Sequence, residues 1–170
     1  HEAWYTAEAS RGGDQPWSIV GVAMRSPRLR DEMQASGWAY DLGILGTEGL
    51  RVERIAVHDE VLVASEEPAR VLAALCDPLT AVVTLTVTEK GYHLRPDGTL
   101  ETEAPEIATD LASDAPRTAI GLIARALLDR HESGAPPLTI LSCDNLSKNG
   151  QKLRGAVADY LAASLAPSDA

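Results

Sequence analysis

Ser142, Cys143, Asp144 and Asn145 stand directly behind a short apolar run, Leu138-Thr139-Ile140-Leu141, and a helix-compatible segment from Gln151 to Leu165 follows. A partly β-branched run that stops at a polar cluster and continues into a helix reads as a buried parallel strand delivering side chains beyond its carboxyl end. In open α/β sheets that edge is where ligands bind. Ser142, Asp144 and Asn145 are therefore candidate site residues. A neutral amide held there can meet negative charge as it develops on a reacting oxygen. Asn and Asp also favour Asx turns and helix N-caps. On residue chemistry alone Asn145 stands open between the two roles, and Asp144 suits a cap or supporting position better than that of a base.

A second cluster has the same form. Thr86, Thr88, Glu89 and Lys90 end the run Leu79 to Val87, which is nearly all apolar or β-branched and so predicts a central buried strand. They read either as ligand contacts at a strand end or as an exposed loop with a Glu-Lys pair that adds little stability. Gly91 is expected to serve a backbone turn. Arg25 and Ser26 end a third apolar run, Trp17 to Met24. Arg25 is equally well read as a solvated residue opening a helix with Arg28 and Arg30. His58, His93 and His131 have no identifiable partner for general-base work, which needs a second group within hydrogen-bond reach.

The elements that must position these residues alternate. His1 to Ser10 reads as a helix tail ended by Gly12-Gly13, and Trp17 to Met24 as a strand. Arg28 to Ser36 is a short helix. Trp38 to Leu45 and Leu50 to Val57 form a hairpin around Gly46-Thr47-Glu48-Gly49. Glu66 to Cys76 is a helix with Pro68 in its first turn, and Arg95-Pro96-Asp97-Gly98 is a turn. Pro116 to Ser133 is the clearest helix, with Ile120, Ile123, Ala124, Leu127 and Leu128 at helical spacing. Strand and helix in alternation predict a parallel α/β sheet. The expected fold is Rossmann-like and doubly wound, with a small β-hairpin insertion and without its first strand. The expected layout is one partial nucleotide-binding domain over 1–166 and a linker or tail over 167–170.

Composition narrows the function classes. The chain has 170 residues, enough for one domain with a core. Its net charge of −10 argues against nucleic acid, whose binding rests on Lys and Arg contacts to phosphate. No window approaches the roughly 18 apolar residues of a membrane span. Cys76 and Cys143 lie in apolar contexts and are expected as reduced, buried thiols of a cytoplasmic protein. The His and Cys residues show no metal-ligand spacing. Phe is absent and aromatics make up 4%, so the core is expected to consist of Leu, Val, Ala and Ile.

The segment Ser142-Cys143-Asp144-Asn145-Leu146 through Asn149-Gly150 resembles the SCDN-L-x-x-N-G signature of the mannitol dehydrogenase family, the long-chain polyol and hexuronate dehydrogenases. Leu85 to Tyr92 is similar to that family's T-x-TE-(K/G)-GY segment. Asp110-Leu111 and Pro116-Arg117-Thr118 fall where the family has DLA and a P-(K/R)-(T/S) turn. The resemblance runs from about Trp4 to Tyr160.

It implies reversible hydride transfer between a nicotinamide cofactor, NAD with NADP possible, and a polyol, ketose or hexuronate. No metal is implied. It also implies that Asn145 is catalytic and touches substrate and cofactor, and that Thr86, Thr88, Glu89 and Ser142 contact cofactor. Lys90 is implied at the substrate, and Arg25 and Ser26 at the adenosine ribose. The wording of Thr88 to Tyr92 and of Arg25-Ser26-Pro27 resembles the fructuronate reductase-like branch somewhat more. His1 to Tyr5 resembles the residues just after the family's Gly-rich fingerprint, with His1 as its last member. The K-x-x-x-x-N-x-x-H motif of the family's C-terminal half does not occur. The chain is therefore expected to be part of an enzyme, with a C-terminal catalytic domain that supplies a lysine base as its partner. The alternative is a nucleotide-binding fragment or pseudoenzyme.

Overall fold

In the computed structural model, which describes residues 2–13 and 16–166, the chain forms two compact units, His1–Glu66 and Glu67–Ala170. The tail expected over 167–170 lies outside the described residues, as does His1.

The first unit runs α1 (Glu2–Gly12), β1 (Ile19–Ala23), α2 (Arg28–Ala35), β2 (Tyr40–Gly46), β3 (Gly49–Ile55) and β4 (His58–Val63). Strand β1 pairs in parallel with β4, from Val20 opposite Glu60 to Ala23 opposite Val63. The antiparallel hairpin β2–β3 closes with Gly46 opposite Gly49, and Gly49 takes a left-handed φ of 110° that an L side chain would resist. Helix α1 lays Ala3 and Ala7 on Ile55, with Trp4, Ile19, Tyr40, Leu42 and Val57 around them. Trp4 Nε1 donates to Glu53 Oε2 at 2.8 Å, so the indole is anchored at its polar end as well.

The second unit runs α3 (Pro68–Cys76), β5 (Val82–Leu85), a 3₁₀ turn (Glu89–Tyr92), α4 (Pro105–Leu111), α5 (Ala119–Ser133), β6 (Thr139–Ser142) and α6 (Asn149–Ser164). Strands β5 and β6 pair in parallel, from Val82 opposite Thr139 to Leu85 opposite Ser142. Helix α5 is buried on more than the stripe its spacing suggested. Ile120, Leu122, Ile123, Ala124 and Ala126 are all inside, as suits a central helix.

Its start is built by Asp110, a buried residue whose carboxylate accepts from Arg117 N, Thr118 N and Thr118 Oγ1 at 2.9, 2.8 and 2.6 Å. Thr118 Oγ1 in turn accepts from Gly121 N at 3.0 Å, the N-cap bond. These contacts give the Asp110-Leu111 and Pro116-Arg117-Thr118 resemblances a structural cause. Gly121 has no room for a Cβ, which would stand 2.5 Å from Asp110 Oδ2.

The α/β class, the parallel pairing and the hairpin agree with the sequence reading. Several expectations need correction. Strand β4 was not expected, because its polar opening His58-Asp59-Glu60 reads as loop; burial of Val61, Leu62 and Val63 makes it a strand. Helix α4 and the 3₁₀ turn are too short for periodicity to reveal. Strand β5 is shorter than Leu79 to Val87, since Leu79 is 90% exposed. The core is not purely aliphatic either: Tyr92 and Tyr160 are buried in it. Among the described residues no helix is long and apolar enough to cross a membrane.

Candidate functional site

The register of β5 and β6 sets Leu85 beside Ser142, so the residues that follow each strand leave the same edge of one parallel pair. Thr86, Val87 and Thr88 leave β5, and Cys143, Asp144 and Asn145 leave β6, whose ends are tied by Cys143 N donating to Leu85 O at 2.8 Å. Two clusters far apart in the chain thus share one carboxyl edge, the position at which open α/β sheets bind ligands.

At that edge lies a partly buried knot of hydrogen bonds. The Tyr92 ring is fully buried, and its hydroxyl donates to Asp144 Oδ2 at 2.5 Å. Because that one proton goes to the carboxylate, the 2.7 Å contact with Ser142 Oγ has the serine donating to the phenol oxygen. Asn149 Nδ2 donates to Ser142 O and Asp144 O at 2.9 and 3.0 Å. Two non-glycine residues in left-handed backbone flank the knot, His93 after the 3₁₀ turn and Lys148 before α6. Such conformations persist where surrounding contacts over-determine them.

Asn145 projects from this frame, exposed and without a side-chain hydrogen bond among the described residues. The helix-cap alternative does not describe it: the N-cap of α6 is Lys148, and Asn149 is the asparagine that does bonding work there. Thr86, Thr88, Glu89 and Lys90 are likewise exposed. No Glu89–Lys90 ion pair forms among the described residues, so neither charge is neutralised by its neighbour. Gly91 lies in the 3₁₀ turn, as expected, with its N–H donating to Thr88 O at 2.7 Å, but its role there is steric. It carries no left-handed φ; its missing Cβ instead admits Val87, which would lie 3.2 Å away. Cys143 continues the outward alternation of β6 and is exposed, while Cys76 is half-buried. Neither forms a disulfide among the described residues, and neither is the buried thiol expected.

In the first unit, Arg25 and Ser26 follow β1 and are exposed. Arg28 pairs with Glu32 at 2.7 Å, and Arg30 with Asp31 and Glu66, whereas Arg25 has no ion pair among the described residues. Ser26 Oγ accepts from Arg28 N at 3.3 Å. His58 is depressed below the usual histidine range by burial, against the pull of Asp59. Among the described residues no group of three His, Cys, Asp or Glu could hold a metal ion.

Residues 1–168 match the sequence profile of the mannitol dehydrogenase Rossmann domain. The chain belongs to the mannitol dehydrogenase family. It is 35% identical over 163 residues to the uncharacterized oxidoreductase YeiQ of Escherichia coli, covering 92% of this chain and 33% of that protein. It is 34% identical over 161 residues to mannitol 2-dehydrogenase of Cereibacter sphaeroides, with coverages of 92% and 34%. The fold matches Pseudomonas fluorescens mannitol 2-dehydrogenase, solved as a ternary complex with NAD and D-mannitol, with a TM-score of 0.89 at 34% identity. That match covers 97% of this chain and 35% of the other. The chain spans about a third of the length of the mannitol dehydrogenase family members it matches.

The residues of this knot that sequence reasoning missed are Tyr92 and Asn149. Both lie inside the quoted motifs, yet nothing local shows that one hydroxyl and one amide hold the Asp144–Asn145 turn.

Burial, and then the Asp144 carboxylate, push the Tyr92 phenol up to about 12, with Ser142 opposing. Burial, and then Asp110, raise Tyr160 to about 12 as well. Both are raised above the ordinary 10.0. Their contribution is therefore complete below pH about 10 and is lost as pH rises through about 12. The melting temperature should fall steeply across that window, and Tyr92→Phe should flatten the fall. An unchanged slope in the variant would show that Tyr92 ionises as easily in the folded chain as in the unfolded one.

Proposed function

We propose that this chain is the nucleotide-binding part of a cytoplasmic NAD(P)-dependent oxidoreductase. It would transfer a hydride between a nicotinamide cofactor and a secondary alcohol of a polyol, or the keto group of a ketose or hexuronate. The observation that carries this reading is the shared carboxyl edge of β5 and β6, which Thr86 and Thr88 leave on one strand and the Asn145 amide, without a side-chain hydrogen bond among the described residues, on the other. The remainder of the family's length is its catalytic partner and brings the lysine base.

The donor set at that edge suits a nicotinamide nucleotide: neutral hydroxyls and an amide, all exposed. Thr86, Thr88 and Glu89 would hold the nicotinamide ribose, with Ser142 accepting through its oxygen while its own O–H donates to Tyr92 Oη. Lys90 would meet the substrate. When bound, the nicotinamide accepts or gives up the hydride. Asn145 donates to the substrate oxygen, and a fixed neutral dipole there favours the charge that builds as the C–H bond breaks. The wording of Thr88 to Tyr92 and of Arg25-Ser26-Pro27 supports a fructuronate reductase-type substrate within this class.

The test assays the dehydrogenase that carries this domain with NAD and D-mannitol, and with NADH and fructose or fructuronate. Turnover of one of these pairs supports the reading. Tight NADH binding without turnover of any would favour a nucleotide-binding protein without catalysis.

Cofactor choice gives a second expectation. An acid at the end of the second strand of such folds accepts from the ribose hydroxyls and repels a 2′-phosphate. Here Arg25 and Ser26 hold that place, and the first acid, Asp31, pairs with Arg30. The enzyme should prefer NAD only weakly, and Ser26→Asp should sharpen that preference in kcat/KM. A wild-type NAD preference above about a thousandfold, roughly 4 kcal/mol, would place the selectivity elsewhere.

A further inference from the structure

We propose that Tyr92 is a positioning residue for Asn145, acting through Asp144; this rests on the reading of Asn145 given above. Asn145 makes no side-chain hydrogen bond among the described residues, so its aim depends on the backbone that carries it. Four hydrogen bonds fix that backbone. Cys143 N reaches Leu85 O, Asp144 O takes bonds from Leu146 N and Asn149 Nδ2, and the Asp144 carboxylate is held by the Tyr92 hydroxyl.

Only the last comes from outside the strand edge and its helix. Tyr92 has its ring in the core, with no exposed surface, and sits in the same 3₁₀ turn as Glu89 and Lys90. One buried hydroxyl therefore ties both motif loops together. A phenylalanine would fill the same core space, so the hydroxyl is what links core to site. Misplacement of a reacting group by about 1 Å can cost 10²-fold in rate, and freeing one side of the Asp144 turn is a smaller disturbance.

In the dehydrogenase carrying this domain, Tyr92→Phe should lower kcat by about tenfold and leave NADH affinity within about twofold. In an Asn145→Ala background it should lower kcat no further, because residues acting as a unit are non-additive. Independently of activity, the backbone order parameter at Asp144 and Asn145 should fall in Tyr92→Phe from the rigid range near 0.85 toward 0.6. If Tyr92→Phe folds poorly, Asn149→Ala frees the same turn and should show the same pattern.

Full multiplication of the two losses would overturn the proposal, since Tyr92 would then act independently of Asn145. An unchanged kcat and order parameter in the single variant would overturn it too. If Asn145→Ala is harmless while Tyr92→Phe still loosens the turn, the positioning stands as geometry and the reading of the active site is what fails.

Discussion

Asn145→Ala is expected to lower kcat for hydride transfer by roughly 10²–10³, the usual cost of removing one preorganised donor to a developing oxyanion. Cofactor affinity should change much less, because in the proposed role the amide meets charge that appears only as the reaction proceeds. Stability should barely change: Asn145 is exposed, bonds to nothing among the described residues and does not cap α6. Steady-state kinetics and a thermal melt on the same variant separate these effects. A kcat within about threefold of wild type, together with a lowered melting temperature, would make Asn145 a structural residue and remove it from the mechanism.

Arg130→Met should cost about 2–4 kcal/mol of stability. Arg130 is 3% exposed and has no ion pair among the described residues. Its guanidinium donates instead to three carbonyls, Leu75 O at 2.9 Å, Asp77 O at 2.8 Å and Pro136 O at 2.6 Å. It thus stitches the end of α3 and the approach to β5 to the approach to β6. Met fills similar space but leaves those acceptors without their charged donor. Lys keeps the charge but not the planar fork, so Arg130→Lys should recover only part of the loss. For a chain of this size the Met variant should melt ~5–15 °C lower. A change below about 0.5 kcal/mol would mean that the carbonyls find other donors once the guanidinium is gone.

What the amino-acid order determined by itself was local. Gly46 and Gly49 mark the hairpin, and at Gly49 the turn uses the left-handed backbone that glycine adopts cheaply. Pro68 and Thr118 mark helix starts, and Gly134, at φ 69°, a helix end. Apolar runs ending at Arg25, Thr86 and Ser142 show where strands deliver polar side chains, since a parallel strand is buried up to the residue at which it stops. The family motifs added which of those ends matter.

Only the tertiary structure decided which strands pair and what holds the site. Strand β4 exists because β1 and the core receive Val61 to Val63; its own residues open too polar to announce it. Tyr92 reaches Asp144 across 52 positions and Arg130 reaches Leu75 across 55, so no local pattern encodes either bond. A buried polar group must find a partner wherever the fold brings one. That demand, met over long separations, is what turns two legible motifs into one edge with Asn145 standing on it.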